Sequence, residues 1–443
     1  MEKIKTGILA IKKNIIQQMN KMVVSNFFLL FNRIFEQIIF LPFLLHIWGD
    51  AIFIEYIKIF SLAYFFNFIG SGYYSYFSNK LAIDYRSKSK KVINIFFTNY
   101  SRFFLKNIFL LNVLFLFVFI LIIENNFFKI SSLSHIEMIL VFIFSMISSI
   151  VSQQSLSLFS GFRFIQKSHI AFNISGIISL ITFLIIYILI FLFKMSPIYM
   201  ALIITLKHLV IYIILHILLK SKNFNSTIQI FKKNNFSIKN KLKEINGFFQ
   251  RDFSNYLIQD FLIILITSVL SVELTAIILF HRISSRFINL ITSIFSIPLK
   301  NQSGLLYKTK SLYILRDYTN KGIKIILFIS LLYSLFFYYF GGFIFQIWTD
   351  NYIEFSFTLF ILIFISSVLE LLWTFISSIS FGTNNHNLLS KFYFIFTIFT
   401  IVIFYLLLRF VNIEYALTSI IFLETIILFI SFKNFKAITK TKI

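Results

Sequence analysis

The 443-residue chain is 58% hydrophobic and 20% aromatic, with 63 Phe against only 12 Gly and 3 Pro, and 13% of its residues are charged. A soluble domain of that length cannot hide so much apolar surface, so lipid must cover much of it. The formal charge of +24 would suggest nucleic acid in a soluble protein, and the absence of Cys excludes disulfides and thiolate metal sites.

The first twenty residues, MEKIKTGILAIKKNIIQQMN, are basic and amphipathic but lack a continuous apolar run and a small-residue cleavage site. They predict an interfacial helix, not a removed signal. Beyond them lie hydrophobic runs of the roughly 20 residues needed to cross a ~30 Å hydrocarbon core as helix; barrel strands would alternate and be half as long. Spans are predicted at about 27–48, 52–77, 103–123, 136–158, 170–193, 199–219, 253–272, 274–299, 323–348, 355–378, 390–408 and 416–432.

Orientation follows from Lys and Arg. With the N-terminus inside, the inner segments and their adjoining turns hold 33 of the 41 basic residues, while the outer loops hold only Lys129, Lys194 and Arg409. That asymmetry predicts both termini in the cytoplasm and explains most of the net charge without nucleic acid. The longest inner loop, carrying seven Lys from Lys220 to Lys243, splits the chain in half and reads as a solvated linker on anionic headgroups. The expected layout is a cytoplasmic amphipathic segment (1–24), an N-lobe of six helices (25–219), a basic cytoplasmic linker (220–249), a C-lobe of six helices (250–432) and a basic cytoplasmic tail (433–443). The halves echo each other: ISSIVSQQSLSLFSG from Ile147 and ISSVLELLWTFISSISFG from Ile365 each precede a short inner turn, with Gly161 matching Gly382 across a three-residue gap. Duplicated transporter folds leave such weak repeats, and an even number of spans per half implies a pseudo-two-fold axis along the membrane normal.

An ionisable group within the bilayer costs at least ~2.5 kcal/mol, so it normally faces a partner or a hydrated cavity. In span eight, Arg282, Ser285, Arg286, Asn289, Ser293 and Ser296 recur every three or four residues as one polar stripe. Arg286 lies roughly 18 Å from the outer end, too deep to snorkel easily. The stripe predicts either a cavity wall or a buried ion pair. In span one, Arg33 and Gln37 share a face with Glu36 beside them, and Arg33 and Glu36, at i and i+3, can neutralise each other. Pro42 is expected to bend this helix. Lys58 lies about two turns into span two, where snorkelling competes with a cavity role. Asp260 in span seven can pair with Arg286 or bind a coupling cation or proton. Glu370 sits on a stripe with Ser366, Ser367, Thr374 and Ser377 and is expected to face a cavity. No phosphate-cradling GxxxxGK[ST] loop, HExxH or nucleophile elbow is present, so neither ATP hydrolysis nor an enzymatic site is expected, nor a bound cofactor or metal.

The two six-helix halves, the LPFLLHIWGDAIFIEYIKIF passage, the IWTD after span nine and the SFGTNNHNLLSKF turn together resemble Wzx-type polysaccharide flippases of the MATE-like MOP superfamily, over essentially the whole chain. The resemblance implies an all-α polytopic fold of about twelve transmembrane helices in two lobes that alternate between inward and outward openings, in a bacterial inner membrane. It implies a flippase for undecaprenyl-diphosphate-linked oligosaccharide repeat units in O-antigen or capsule synthesis. Its partners would be the lipid-linked oligosaccharide, the membrane and the polymerase and chain-length proteins of the pathway. Arg33, Lys58, Arg282 and Arg286 would be the cavity cations that meet the diphosphate, with Gln37, Ser285, Asn289 and Glu370 as polar lining. Asp260 and Glu36 are candidates for coupling to H+ or Na+, alongside the membrane potential. The competing expectation is a MATE-like cation-coupled exporter of small organic cations, in which the carboxylates dominate the cavity.

Overall fold

The computed structural model describes residues 21–84 (22, 27, 28 and 66 aside), 109–121 (112 aside), 132–221 (166 aside), 242–308 and 312–439 (351 aside). The predicted N-terminal amphipathic segment, most of the linker and the end of the tail lie outside these residues. So does the side chain of Gln37.

All regular structure among the described residues is helical. In chain order the helices are α1 (Val23–Ile34), α2 (Leu41–Ala63), α3 (Asn67–Asp84), α4 (Phe109–Leu121), α5 (His135–Phe164), α6 (Ser168–Phe193) and α7 (Pro197–Lys220). The second half follows with α8 (Leu242–Tyr256), α9 (Leu262–Val269), α10 (Val272–Lys308), α11 (Leu312–Trp348), α12 (Phe357–Gly382), α13 (Asn387–Phe410) and α14 (Ile413–Thr439). Eight helices among the described residues are long and apolar enough to cross a membrane. A ninth counts if Val272–Leu290 and Ser293–Gly304, which meet at 47°, form one bent span. Over the described residues the twelve predicted spans fall on these helices, and several helices run on by a turn or more beyond the span.

Local chemistry fixes the helix ends. Ser134 caps α5 in a reciprocal box with Glu137, and Ser356 caps α12 by accepting from the Leu359 N–H. Pro197 opens α7, where its missing N–H costs nothing. Two π-helical turns interrupt the first span of each half: Phe35–Phe40 between α1 and α2, and Leu257–Phe261 between α8 and α9. The first lies just before Pro42. A proline ring clashes with the carbonyl four residues back, here that of Ile38, and the wider π-turn takes up the displacement. The sharper break comes at Gly49, where φ 71° and ψ 169° turn the chain between the first and second passes; only glycine adopts that left-handed conformation freely.

The same packing scheme recurs in both halves. In the N-lobe α5 packs against α2, α3 and α7, and α6 against α7; in the C-lobe α12 packs against α10 and α14, and α13 against α14. Gly161 and Gly382 both sit in the last turn of the central helices, α5 and α12. A Cβ at Gly382 would overlap Ser303 and the Lys300 carbonyl, so the close approach of α10 to α12 demands glycine there. The lobes meet mainly where α3 crosses α8 and α10, and where α2 meets α9 and α10. Apolar side chains cover the periphery: α11 alone exposes Phe328, Leu331, Leu335, Tyr338, Tyr339 and Phe343, a surface suited to lipid. Charge separates along the bundle. One end, here the basic end, gathers Lys80, Arg163, Lys167, Lys220 and Lys300; the other, acidic end carries Asp50, Glu137, Glu273, Asp350 and Glu354.

Candidate functional site

The polar interior is built around the two π-turns. Each carries one carboxylate in mid-span, Glu36 in the first and Asp260 in the second, on the helices that open the two lobes. A π-turn aims side chains and carbonyls away from the helical register, which is why it recurs at functional positions. Glu36 is within electrostatic reach of Tyr56, Tyr64 and Lys207 inside the N-lobe. The expected Arg33–Glu36 pair is not formed. The π-turn rotates Glu36 into the lobe while Arg33 remains exposed on α1, with no hydrogen-bond or ion-pair partner among the described residues.

Asp260 lines a chamber of about 350 Å³ at the seam between the lobes. Tyr64, Asn67 and Gln153 form its N-lobe wall, and Asp252, Asn255 and Asp260 its C-lobe wall. Asn67 accepts from Ser149 (2.6 Å) and from Gln153. Asp252 accepts from Ser71 across the seam (2.6 Å) and pairs with Arg251. Among the described residues its lining contains two carboxylates and neither Lys nor Arg.

Arg282 and Arg286 lie behind that chamber, inside the C-lobe. The Arg282 guanidinium donates to the carbonyls of Ile258 (2.9 Å) and Gln259 (2.5 Å), on the π-turn itself. Arg286 pairs with Glu370 at 2.6 Å, and Gln259 (3.1 Å) and Asn289 (3.3 Å) also donate to that carboxylate. Arg282, Arg286, Ser366, Ser367 and Glu370 line a second cavity with only about 40 Å³ of free space, closed by Ile258, Leu262, Phe404 and Leu417. Of the alternatives open for the span-eight stripe, the ion pair is therefore formed, with Glu370 and not Asp260 as partner. Ser285 departs from the expected lining: it is fully buried and donates to the Phe360 carbonyl (3.1 Å), because that side of α10 is the packing face for α12. Lys58 is half-buried on α2, has no hydrogen-bond or ion-pair partner among the described residues, and lines neither cavity. Arg33, Lys58, Arg282 and Arg286 thus do not converge on one cavity.

A polar network closes the lobes on each other at the basic end, and the sequence reading passed over it. Arg163, at the end of α5, donates to Ser78 (2.9 Å) and Asn79 (2.7 Å) in its own lobe and to the Asn301 carbonyl (2.9 Å) across the seam. Asn79, wholly buried, donates to the Phe381 carbonyl (2.6 Å) and to Asn384 (3.0 Å). Lys300 donates to Ser75 (3.3 Å). In the sequence Arg163 and Lys300 do not stand out from the inner-loop charges that set orientation. The available signal was the TNNHN turn, where Asn384 holds φ 62°, an uncommon conformation for a residue with a side chain.

At the acidic end a cavity of about 690 Å³ opens beside the Gly49 break, lined by Phe43, His46, Asp50, Tyr187, Trp348 and Tyr352 among others. Tyr352 donates to Asp50 there, a further link between the lobes.

No family model matches the sequence, and no curated protein matches it. Solved structures do. A MOP superfamily transporter from Pyrococcus furiosus, described as having a binding pocket of reverse polarity, aligns over 97% of each chain with 14% identity and a TM-score of 0.67. The Vibrio cholerae MATE transporter VcmN in its bent form aligns over 96% of this chain and 97% of its own, with 13% identity and a TM-score of 0.63. The chain has the MOP fold. An outward-facing multidrug resistance MATE family transporter agrees, at 14% identity over 97% and 96% of the two chains, with a TM-score of 0.61. The resemblance read from the sequence thus holds at the level of the fold, as a multi-pass all-α membrane protein of two related lobes.

Proposed function

We propose that the protein is a transporter of the bacterial inner membrane, with its basic end and both termini in the cytoplasm, that moves a lipid-linked anionic oligosaccharide outward by alternating access. The observation that carries this reading is Arg33. It stands exposed in the first span with no hydrogen-bond or ion-pair partner among the described residues, and on either side of it Leu30 and Ile34 make the small apolar contact through which α1 meets Leu290 and Ile294 of α10. An exposed arginine on the helix that borders the seam is placed to meet an anionic partner, and a contact of so few side chains is easily parted. Opening it would create a lateral cleft: the polyprenyl tail stays in lipid while the diphosphate and glycan cross through the hydrated seam. Arginine suits the diphosphate because its planar donors engage oxygens in pairs. No covalent chemistry is needed. With a negative interior, moving each negative charge outward gains about 2.3 kcal/mol per 100 mV, and Asp260 and Glu36 are the groups we assign to cation coupling.

The test is deletion of the gene followed by location of the lipid-linked oligosaccharide. Accumulation on the cytoplasmic face with loss of surface glycan is expected, restored by the intact gene but not by Arg33→Ala. Unaltered glycan refutes the reading. The acid-lined seam chamber favours one second reading, export of small organic cations; that reading predicts unaltered glycan and new sensitivity to lipophilic cations on deletion.

A further inference from the structure

The network at the basic end contains more positive charge than its partners neutralise. Arg163 and Arg251 are both near enough to bear electrostatically on Lys300, and Asp252 is the one carboxylate that does so among the described residues. Arg251 takes up Asp252 and lies over the Phe381 ring at 4.4 Å. Among the described residues the hydrogen-bond partners of Arg163 and Lys300 are all neutral, the hydroxyls of Ser78 and Ser75, the Asn79 amide and the Asn301 carbonyl. His386 packs against Phe248 at 3.8 Å and is 1% exposed, and neither of its ring nitrogens has a partner among the described residues. Buried charges are normally paired with opposite charge, since neutral dipoles offset only part of the lost hydration. The Asn301 and Phe381 carbonyls belong to one lobe, and Arg163 and Asn79, which reach them, to the other. Parting the lobes withdraws these contacts from Arg163 and frees it together with Lys300.

We propose that Arg163 and Lys300 form a receiving site for a phosphate-type anion at the cytoplasmic mouth, occupied when the lobes part and replaced by the Asn301 carbonyl and Ser75 when they close. This rests on the anionic-substrate reading above and names where its diphosphate is first held. Closure and anion binding compete for the same guanidinium, so loading the site holds the mouth open, and handing the diphosphate deeper toward Arg33 lets it shut.

The competition gives the test opposite signs in two variants that both break the network. Farnesyl diphosphate is titrated onto the full-length protein in lipid nanodiscs, with farnesol and tetraphenylphosphonium as controls. Arg163→Gln and Lys300→Gln should each weaken farnesyl diphosphate binding roughly ten-fold or more, the loss of one charge-assisted contact. Asn79→Ala keeps both cations but removes the bonds to Phe381 and Asn384, and should tighten it. Asn384→Gly, which suits the left-handed backbone there, should do the same and serves if Asn79→Ala fails to fold. A uniform change of one sign in all variants, or no change in the cation variants, overturns the site while leaving the flippase reading in place. A wild-type protein that binds tetraphenylphosphonium and not farnesyl diphosphate overturns both.

Discussion

The Arg286–Glu370 pair can be separated from substrate binding by a double-mutant cycle. The two side chains are 20% and 11% exposed, the contact is 2.6 Å, and Gln259 and Asn289 supply the remaining donors to the carboxylate. Glu370→Gln preserves shape but leaves the guanidinium charged and uncompensated, and breaking a buried pair from one side costs about 3–5 kcal/mol. Arg286→Met strands the carboxylate at a similar cost. Replacing both, with Arg286→Met and Glu370→Leu, removes the desolvated charges together and is expected to cost no more than about 1 kcal/mol, because the cavity walls are Ile258, Leu262, Phe404 and Leu417. The double variant should then fall short of the sum of the singles by ~3 kcal/mol or more. Unfolding of the purified protein in mixed detergent micelles reads all four corners of the cycle. Additive effects, or single variants each within ~1 kcal/mol of wild type, would refute the structural assignment of this pair and return Arg286 to the pool of substrate cations.

Arg282→Ala should loosen the π-turn, since its two charge-assisted bonds to backbone carbonyls contribute about 1.5–3 kcal/mol each; hydrogen exchange across Leu257–Phe261 should rise, and unchanged exchange would show that the turn stands without it. The chain has no native Cys, so introduced pairs report without background. A Cβ at Gly72 approaches the Phe249 backbone nitrogen to 3.2 Å across the seam, so Gly72→Cys with Phe249→Cys should form a disulfide that stops transport until reduced; transport that continues through the cross-link would show that the basic end need not open. Asp260→Asn should leave the fold intact, since the side chain has no hydrogen bond or ion pair to lose among the described residues, while removing the response of transport to a proton or sodium gradient. Equal gradient dependence in variant and wild type would exclude Asp260 from coupling.

Much of the outline was legible from order alone. Apolar runs of sufficient length have one low-energy state in lipid, so the predicted spans fall on helices wherever they are described, and the Lys and Arg bias that predicted orientation reappears as the basic and acidic ends. The repeat also survived: Gly161 and Gly382 occupy the same turn of α5 and α12. The span-eight stripe was real as a pattern. Periodicity places residues on a face without saying what the face meets, and here Ser285 meets α12 while Arg286 meets Glu370, 84 positions away in the chain.

The tertiary structure alone decided which charges are spent and which are left over. Arg282 holds a π-turn that no residue pattern announced, and Arg33 escapes Glu36 because a second π-turn breaks the i, i+3 register on which their pairing depended. Arg163 and Lys300, indistinguishable in sequence from loop charges that fix orientation, become an under-compensated pair once α3, α5, α10 and α12 close around them. Hydrophobicity and loop charge act through the membrane, a partner present in every context, and so are readable residue by residue. Charge compensation is a property of pairs distant in sequence, and only the packed lobes determine it.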